Sequence, residues 1–148
     1  MHRLLLPLLL ALAACGPHHQ MQTPTDFVRF EKRSDLAMIT ADGVRLKSRE
    51  VRNYPKADLA FWTDALKRHL IARGYAVQRQ HAFRTAAGQD ANTLEFLLPH
   101  GAEDWVLSET ILVCGDSVVL VEAAGPFERF ARVQKAVDDA LPSLVRAP

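Results

Sequence analysis

Residues 75–124 contain four apolar segments, YAVQRQHAF (75–83), TLEFLL (93–98), WVLSETILVC (105–114) and VVLVEAA (118–124). They are separated by TAAGQDAN, PHGAED and GDS, each of which is rich in residues that form turns. Apolar runs of this length, bounded by turn formers, are typical of β-strands. Residues 75–124 therefore predict a meander of four antiparallel strands.

An amphipathic helix is predicted on each side of the meander. The first covers residues 58–73 and ends at Gly74, a C-terminal cap residue. Its apolar residues recur at helical spacing, at Leu59, Trp62, Leu66 and Leu70. The second helix begins near Pro126 and is ended or bent by Pro142. Its predicted inner face carries Phe127, Phe130, Val137 and Leu141.

A hairpin is predicted before the first helix, in LAMITADGVRLKSREV (36–51). The dipeptide Asp42-Gly43 is a strong signal for a tight turn between two strands. The element order is therefore strands, helix, four-strand meander, helix. This order predicts an α+β fold in which helices pack on one antiparallel sheet.

The N-terminal segment MHRLLLPLLLALAAC combines a basic start, an apolar run and small residues before a cysteine. The run is shorter than the roughly 20 apolar residues that a membrane span needs, and it fits a secretory signal. Residues 12–15, Leu-Ala-Ala-Cys, resemble the lipobox of bacterial lipoproteins. A plain signal peptide with an incidental cysteine is the alternative.

The lipobox resemblance implies that residues 1–14 are removed and that Cys15 carries a diacylglycerol, and often palmitate on its new amino group. Two or three acyl chains hold a protein stably on a membrane. Gly16 in place of aspartate favours the outer membrane, facing the periplasm. Residues 15–25 are then the lipidated N-terminus and a flexible tether, and residues 26–148 form a single globular domain.

The element order is also similar to the PsbP/DcrB-like α/β/α sandwich of small bacterial envelope lipoproteins. This resemblance extends over about residues 26–145 and rests on element order and length. It implies an accessory or binding role, and it carries no functional residue over to this chain.

Charge is balanced overall but differs between the two halves of the chain. Residues 26–84 hold 13 basic and 7 acidic residues, whereas residues 85–148 hold 4 and 10. A neutral, exported chain is not expected to bind nucleic acid. With Cys15 lipidated, Cys114 has no intramolecular disulfide partner.

Motifs for catalysis or cofactor binding are absent from the sequence, which contains no GxSxG, HExxH or CxxC. We therefore expect no catalytic, cofactor-binding or metal-binding residue. His18 and His19 form a weak metal candidate, and His100 with Glu103 is better explained as a turn. Glutamates 95, 109 and 122 are expected on the solvated face of the sheet, although paired carboxylates can act as acid and base.

Cys114 follows an apolar strand and has no neighbouring positive charge in the sequence that would activate the thiol. It is therefore predicted to be a small buried hydrophobic residue. The alternative is a nucleophile that folding brings close to a histidine.

The segment VRLKSRE carries one positive binding feature, the basic ladder, formed by Arg45, Lys47 and Arg49. Alternate residues of a strand point to the same face, so these three cations share a face about 13 Å long. A solvated strand face, or an edge strand protected by charge, is the alternative. The functional hypothesis is an anionic partner, either an envelope protein or another anionic envelope component.

Two function classes remain open at this point. The first is a lipid-anchored, non-catalytic binding or assembly module of the cell envelope. The second is a small envelope enzyme, such as a hydrolase, with a site that the sequence does not reveal. A polar cleft that joins two or more of His69, His81, His100 and Cys114 would favour the enzyme.

Substitution of Cys15 by serine tests the lipid anchor. We expect Cys15→Ser to lose lipid attachment and to move the protein into the soluble envelope fraction, because serine lacks the thiol that receives the diacylglycerol. Metabolic labelling with palmitate measures this. Label that persists in the variant would contradict the prediction.

Overall fold

The structure, a computed structural model, describes residues 19–30 and 36–146. The described part contains helices α1 (Leu59–Ala72) and α2 (Phe127–Ala140) and a 3₁₀ turn at Leu141–Ser143. Its strands are β1 (His19–Gln20), β2 (Phe27–Arg29), β3 (Ala37–Thr40), β4 (Arg45–Arg52), β5 (Ala76–Arg84), β6 (Asp90–His100), β7 (Glu103–Cys114), β8 (Ser117–Pro126) and β9 (Val145–Arg146). The predicted signal peptide, Cys15 and His18 lie outside the described residues.

Seven strands form one antiparallel sheet in the order β2-β3-β4-β8-β7-β6-β5. Strands β5 to β8 pair in chain order, which confirms the predicted meander. The predicted hairpin, β3 and β4, joins the meander because β4 pairs with β8 along its whole length. The fold is therefore α+β, as predicted.

The two helices cover opposite faces of this sheet. Leu70 of α1 packs with Ile111 and Val118, whereas α2 packs on the side of Leu112 and Val119. Consecutive residues of a strand point to opposite faces, so the two apolar clusters are separated by the sheet. We call these surfaces the α1 face and the α2 face.

The helix boundaries follow the predicted signals. The Asp58 carboxylate accepts a hydrogen bond from the Phe61 N–H at 2.9 Å and caps α1. In α2, Phe130 and Val137 are buried as predicted. The prediction for Phe127 is wrong, because this side chain is 45% exposed. It lies in the first turn of α2, beside Glu103 and Asp104 at the margin of the sheet.

The hairpin turn between β3 and β4 is fastened to α2. Gly43 adopts a φ of +93°, which glycine tolerates best. The Asp42 carboxylate accepts hydrogen bonds from the Thr40 hydroxyl at 2.6 Å and from Arg132 at 2.8 Å. These bonds, the Thr40 bond above all, lower the pKa of Asp42. They hold the start of β4 in a fixed position.

The sequence predicts a flexible tether up to residue 25, and the structure contradicts this for residues 19–25. His19 and Gln20 form β1, which pairs with β9, and Met21 is buried in the α2-face cluster. The structure also adds β2 to the predicted strands. Strands of two or three residues carry too little periodicity to be recognised in a sequence.

Cys114 is buried at the end of β7, in the α2-face cluster. The Gln89 amide donates a hydrogen bond to its Sγ at 3.4 Å. Burial raises the pKa of the Cys114 thiol, which favours the unreactive protonated form. The buried position agrees with the predicted role as a small hydrophobic residue.

Candidate binding surface

The basic ladder lies on the α1 face of β4. Arg45, Lys47 and Arg49 are all exposed, while Leu46 and Ser48 between them are buried on the α2 face. From the sequence, an edge strand protected by its charges was the alternative to a binding surface. In the structure β4 is an interior strand, because it pairs with β3 on one side and β8 on the other.

The α1 face is covered by its helix over only part of its width. Helix α1 packs mainly over β5, β6 and β7, so the face is open over β2, β3 and the start of β4, whereas Arg49 and Val51 further along β4 line a cavity beside α1. The open part carries exposed apolar side chains, of which Val28 is 69% and Phe30 is 51% exposed. Cations and apolar groups therefore share this surface.

A groove of about 510 Å³ lies on this open part. We call it the open groove. The apolar lining comes from Phe30, Ala37, Ile39, Trp105 and Ala124, and the charged lining comes from Arg45, Lys47 and Glu122. Pockets of this kind bind through apolar contact and take their specificity from a few polar groups.

The strand register brings one acidic residue of the second half of the chain against the ladder. Lys47 lies opposite Glu122 on β8, and its Nζ is 3.1 Å from the Glu122 Oε1. Within the described residues, Arg45 and Arg49 form no ion pair within 4.0 Å. Two of the three cations therefore remain available to an anionic ligand.

Glu109 is the unusual residue beside this surface. It lies on β7 directly opposite Glu122, on the α1 face, and is only 4% exposed. Its Oε2 has no hydrogen-bond partner among the described residues. Burial, and to a smaller extent repulsion from Glu122, raises the pKa of Glu109 to about 7. The positive charges of Arg49 and Lys47 partly oppose this shift of the pKa.

The three glutamates that the sequence placed on a solvated face do not share one environment. Glu95 lies on the α2 face, because it is opposite Ser108 in the register of β6 and β7. It is buried, and its Oε2 accepts hydrogen bonds from Arg79 at 3.1 Å and Gln134 at 2.8 Å. The expectation of a solvated face is therefore wrong for Glu95 and Glu109, and only Glu122 is partly exposed.

The candidate nucleophile and histidines are spread over the fold. His69 lies beside an apolar cavity under α1, and His100 lies near Trp105 at another cavity. His81 lies opposite Thr93 of β6 on the α2 face, so it is away from both cavities. Cys114 lies at the opposite end of β7 from His100. The open groove, the cavity beside His69 and the cavity beside His100 each contain at most one of these four residues.

The other metal candidates have structural roles. His19 is buried and contacts the Ser48 hydroxyl, and His100 lies opposite Glu103 across the turn between β6 and β7, as predicted. Over residues 19–30 and 36–146, no group of three or more His, Cys, Asp or Glu side chains could hold a metal ion.

Sequence reasoning found the ladder but missed Phe30, Trp105 and the burial of Glu109. The signal for Glu109 is its place in the middle of the apolar run WVLSETILVC. A charged residue there must lie on the α1 face or the α2 face, and both faces are partly covered. Phe30 and Trp105 come together only through the pairing of β4 with β8, which no local pattern shows.

Comparison with known proteins supports the fold alone. No protein-family profile matches the chain, and no curated protein matches it significantly. The chain is similar in structure to the PsbP protein CyanoP of Synechocystis sp. PCC 6803, with a TM-score of 0.62, 14% identity and 88% of each chain covered. It is similar to LpqN of Mycobacterium tuberculosis, a protein involved in cell envelope biogenesis, with a TM-score of 0.65 and 11% identity. That match covers 88% of this chain and 83% of LpqN.

A third similar structure is a Pseudomonas aeruginosa protein of unknown function, with a TM-score of 0.53 and 12% identity over 86% of this chain and 98% of that chain. These likenesses establish a PsbP-like fold. No helix among the described residues is long and apolar enough to span a membrane.

Substitution of Glu109 by glutamine tests the buried carboxyl. Because the pKa of Glu109 is raised from 4.5 to about 7, the folded protein holds this proton more tightly than the unfolded chain does. Ionising Glu109 therefore lowers the free energy of unfolding. This loss is absent below pH 4.5, grows as the pH rises, and reaches its full value of about 3 kcal/mol above pH 7. We expect Glu109→Gln to raise the free energy of unfolding by about 1 to 3 kcal/mol at about pH 8, and to change it little at about pH 4.

Urea denaturation at the two pH values measures this effect. Glu95→Gln is the matched control, because Glu95 is also buried but is paired with Arg79, so its neutralisation should lower stability at about pH 8. A Glu109→Gln variant that is less stable than the wild type at about pH 8 would contradict the prediction.

Proposed function

We propose that the mature chain is a lipid-anchored, non-catalytic binding protein of the bacterial cell envelope. Its binding surface is the open part of the α1 face, and its ligand is an acidic, extended segment of a partner protein. The observation that carries this proposal is the basic ladder on an interior strand, exposed beside an apolar groove.

The envelope location rests on two kinds of support. Residues 12–15 resemble a lipobox, and one protein with a similar fold, LpqN, is involved in cell envelope biogenesis. The fold also resembles that of CyanoP, a PsbP protein. An outer-membrane address with palmitate on Cys15 follows from the lipobox and from Gly16.

The ligand class follows from the composition of the open groove. Successive cations of the ladder are two residues apart, about 7 Å along the strand. An extended peptide with acidic residues at alternate positions has the same spacing. The apolar side chains of Phe30, Ile39 and Trp105 would contact flanking residues that point to the same face of the peptide as the acidic ones. Nucleic acid is not proposed, because the chain has a formal net charge of only +1.

A second candidate function, a small envelope hydrolase, is favoured by one observation. Glu109 and Glu122 are opposite one another, and a carboxyl with a pKa of about 7 is suited to acid and base catalysis. Glu109 is buried, however, and does not line the open groove. The spread of His69, His81, His100 and Cys114 over separate parts of the fold also supports a binding role.

Charge reversal of the ladder tests the proposed binding. The variant Arg45→Glu, Lys47→Glu, Arg49→Glu is measured against two short fluorescent peptides of equal composition, one with glutamates at alternate positions and one with glutamates in a block. We expect wild type to bind the alternating peptide more tightly, and the variant to lose about tenfold or more in affinity. Binding should weaken as salt rises through about 0.15 M, where the screening length is about 8 Å.

The matched control reverses three exposed cations elsewhere, in the variant Arg68→Glu, Arg84→Glu, Lys135→Glu. The three control residues form only surface ion pairs, and in the ladder Lys47 pairs with Glu122 at the surface, so both variants should remain folded by circular dichroism. An equal loss of affinity in the two variants would mean that only net charge matters, and it would contradict the proposal. Binding of peptidoglycan fragments or phosphate-bearing vesicles, but of neither peptide, would assign the surface to another anionic component.

A further inference from the structure

The direction of β1 shows toward which end of the sheet the first described residues run. The Met21 carbonyl accepts a hydrogen bond from Arg29. Arg29 lies opposite Met38 of β3, and Met38 lies opposite Leu46 of β4, so Met21 lies close to the level of Leu46. His19 instead contacts Ser48 and Glu50, further along β4. From Met21 back to His19 the chain therefore runs along β4 toward its last residue, Arg52.

The first described residue is held in place by β9. His19 pairs with Arg146 of β9, and the Arg146 guanidinium is 2.9 Å from the Glu50 Oε1. Only Gly16, Pro17 and His18 separate Cys15 from β1. The four Cα–Cα steps from Cys15 to His19 therefore span at most about 14 Å, whatever conformation the chain adopts.

The end of the sheet lies within that reach. Arg52 is two residues beyond Glu50, about 7 Å along the strand. A lipid anchor on Cys15 would therefore bring the headgroups of its bilayer close to this end. A domain of about 120 residues is about twice as wide as this tether is long, so it cannot turn its far end toward the same membrane.

Several turns meet at this end, which we call the Tyr54 end. It contains residues 53–57 after β4, the turn between β7 and β8, the turn between β5 and β6, and the 3₁₀ turn Leu141–Ser143. Arg52 lies opposite Ser117, and the Ala86 N–H donates to the Pro142 carbonyl at 2.7 Å. The Asn53 amide donates to the Gly115 carbonyl at 2.9 Å and so ties two of these turns together.

The Tyr54 end has the composition of an interfacial surface. Tyr54 is 77% exposed, and the Arg52 guanidinium lies 5.7 Å from the centre of its ring. The neighbouring charges are paired, Lys56 with Asp116 and Arg84 with Asp90, both at 3.0 Å. Tyrosine is favoured at the level of lipid headgroups, because its ring is apolar and its hydroxyl is polar.

We propose that the Tyr54 end of the domain lies on the headgroups of the bilayer that holds Cys15. This inference rests on the lipid anchoring in the proposed function. Arg45 is seven residues from Arg52, about 23 Å along β4, so the open groove lies toward the end remote from the membrane. The ligand then approaches from the aqueous compartment, and headgroups of the same membrane do not reach Arg45.

Quenching by spin-labelled lipid tests this orientation in the lipidated, full-length protein. Lipidation blocks the Cys15 thiol, so Cys114→Ala leaves a protein with no free thiol. One environment-sensitive fluorophore is then attached at Lys56→Cys, near Tyr54, or at Glu103→Cys, at the opposite end of the sheet. Both positions are exposed and form only surface ion pairs. The vesicles contain phosphatidylethanolamine, phosphatidylglycerol and a lipid labelled near its headgroup.

We expect the fluorophore at position 56 to be quenched severalfold more than the one at position 103. Equal quenching, or stronger quenching at position 103, in a protein that floats with the vesicles would overturn the orientation alone. If the protein does not float, and Cys15→Ser behaves in the same way, the lipid anchoring itself is overturned and the orientation with it.

Discussion

The pairing of β4 with β8 holds the two parts of the sheet together. It joins the first hairpin to the meander and makes β4 an interior strand. Its register sets Lys47 opposite Glu122 and Leu46 opposite Ala123, so the charged side chains lie on the α1 face and the apolar ones on the α2 face. A shift by one residue would exchange the two sets and bury the basic ladder. Gly125 permits close approach at the start of this pairing, because a side chain there would meet Val44.

The same register explains the buried carboxyl. Glu122 is opposite Lys47 on one side and Glu109 on the other, so it is paired with a cation while it repels an anion. Glu109 is held away from solvent, because β7 lies between β6 and β8 and α1 packs over it. The α1 face therefore carries two arginines that form no ion pair within the described residues, beside a buried carboxyl whose pKa is raised to about 7. Because the pKa of Glu109 differs between the folded and unfolded states, the free energy of unfolding depends on pH.

Local patterns predicted the large elements of the fold, because those elements are long and periodic. Residues 58–73 showed one apolar face, and Asp42-Gly43 marked the hairpin. The short strands β1, β2 and β9 are determined by tertiary pairing, and their sequences carry no period of their own. In the binding surface, the alternation of Arg45, Lys47 and Arg49 was readable from the sequence. The contact with Glu122 and the neighbourhood of Phe30 and Trp105 depend on strand order, which a single sequence does not encode locally.

Chemical-shift mapping with the alternating acidic peptide decides whether the open part of the α1 face is the binding surface, because it locates the bound ligand on the sheet. We expect shifts at the amides of Arg45, Lys47 and Arg49 and at the Trp105 indole N–H, with little change on the α2 face. Shifts centred on the exposed cations of α2, at Arg129 and Arg132, would contradict it. The open part of the α1 face would then not be the surface that binds the partner.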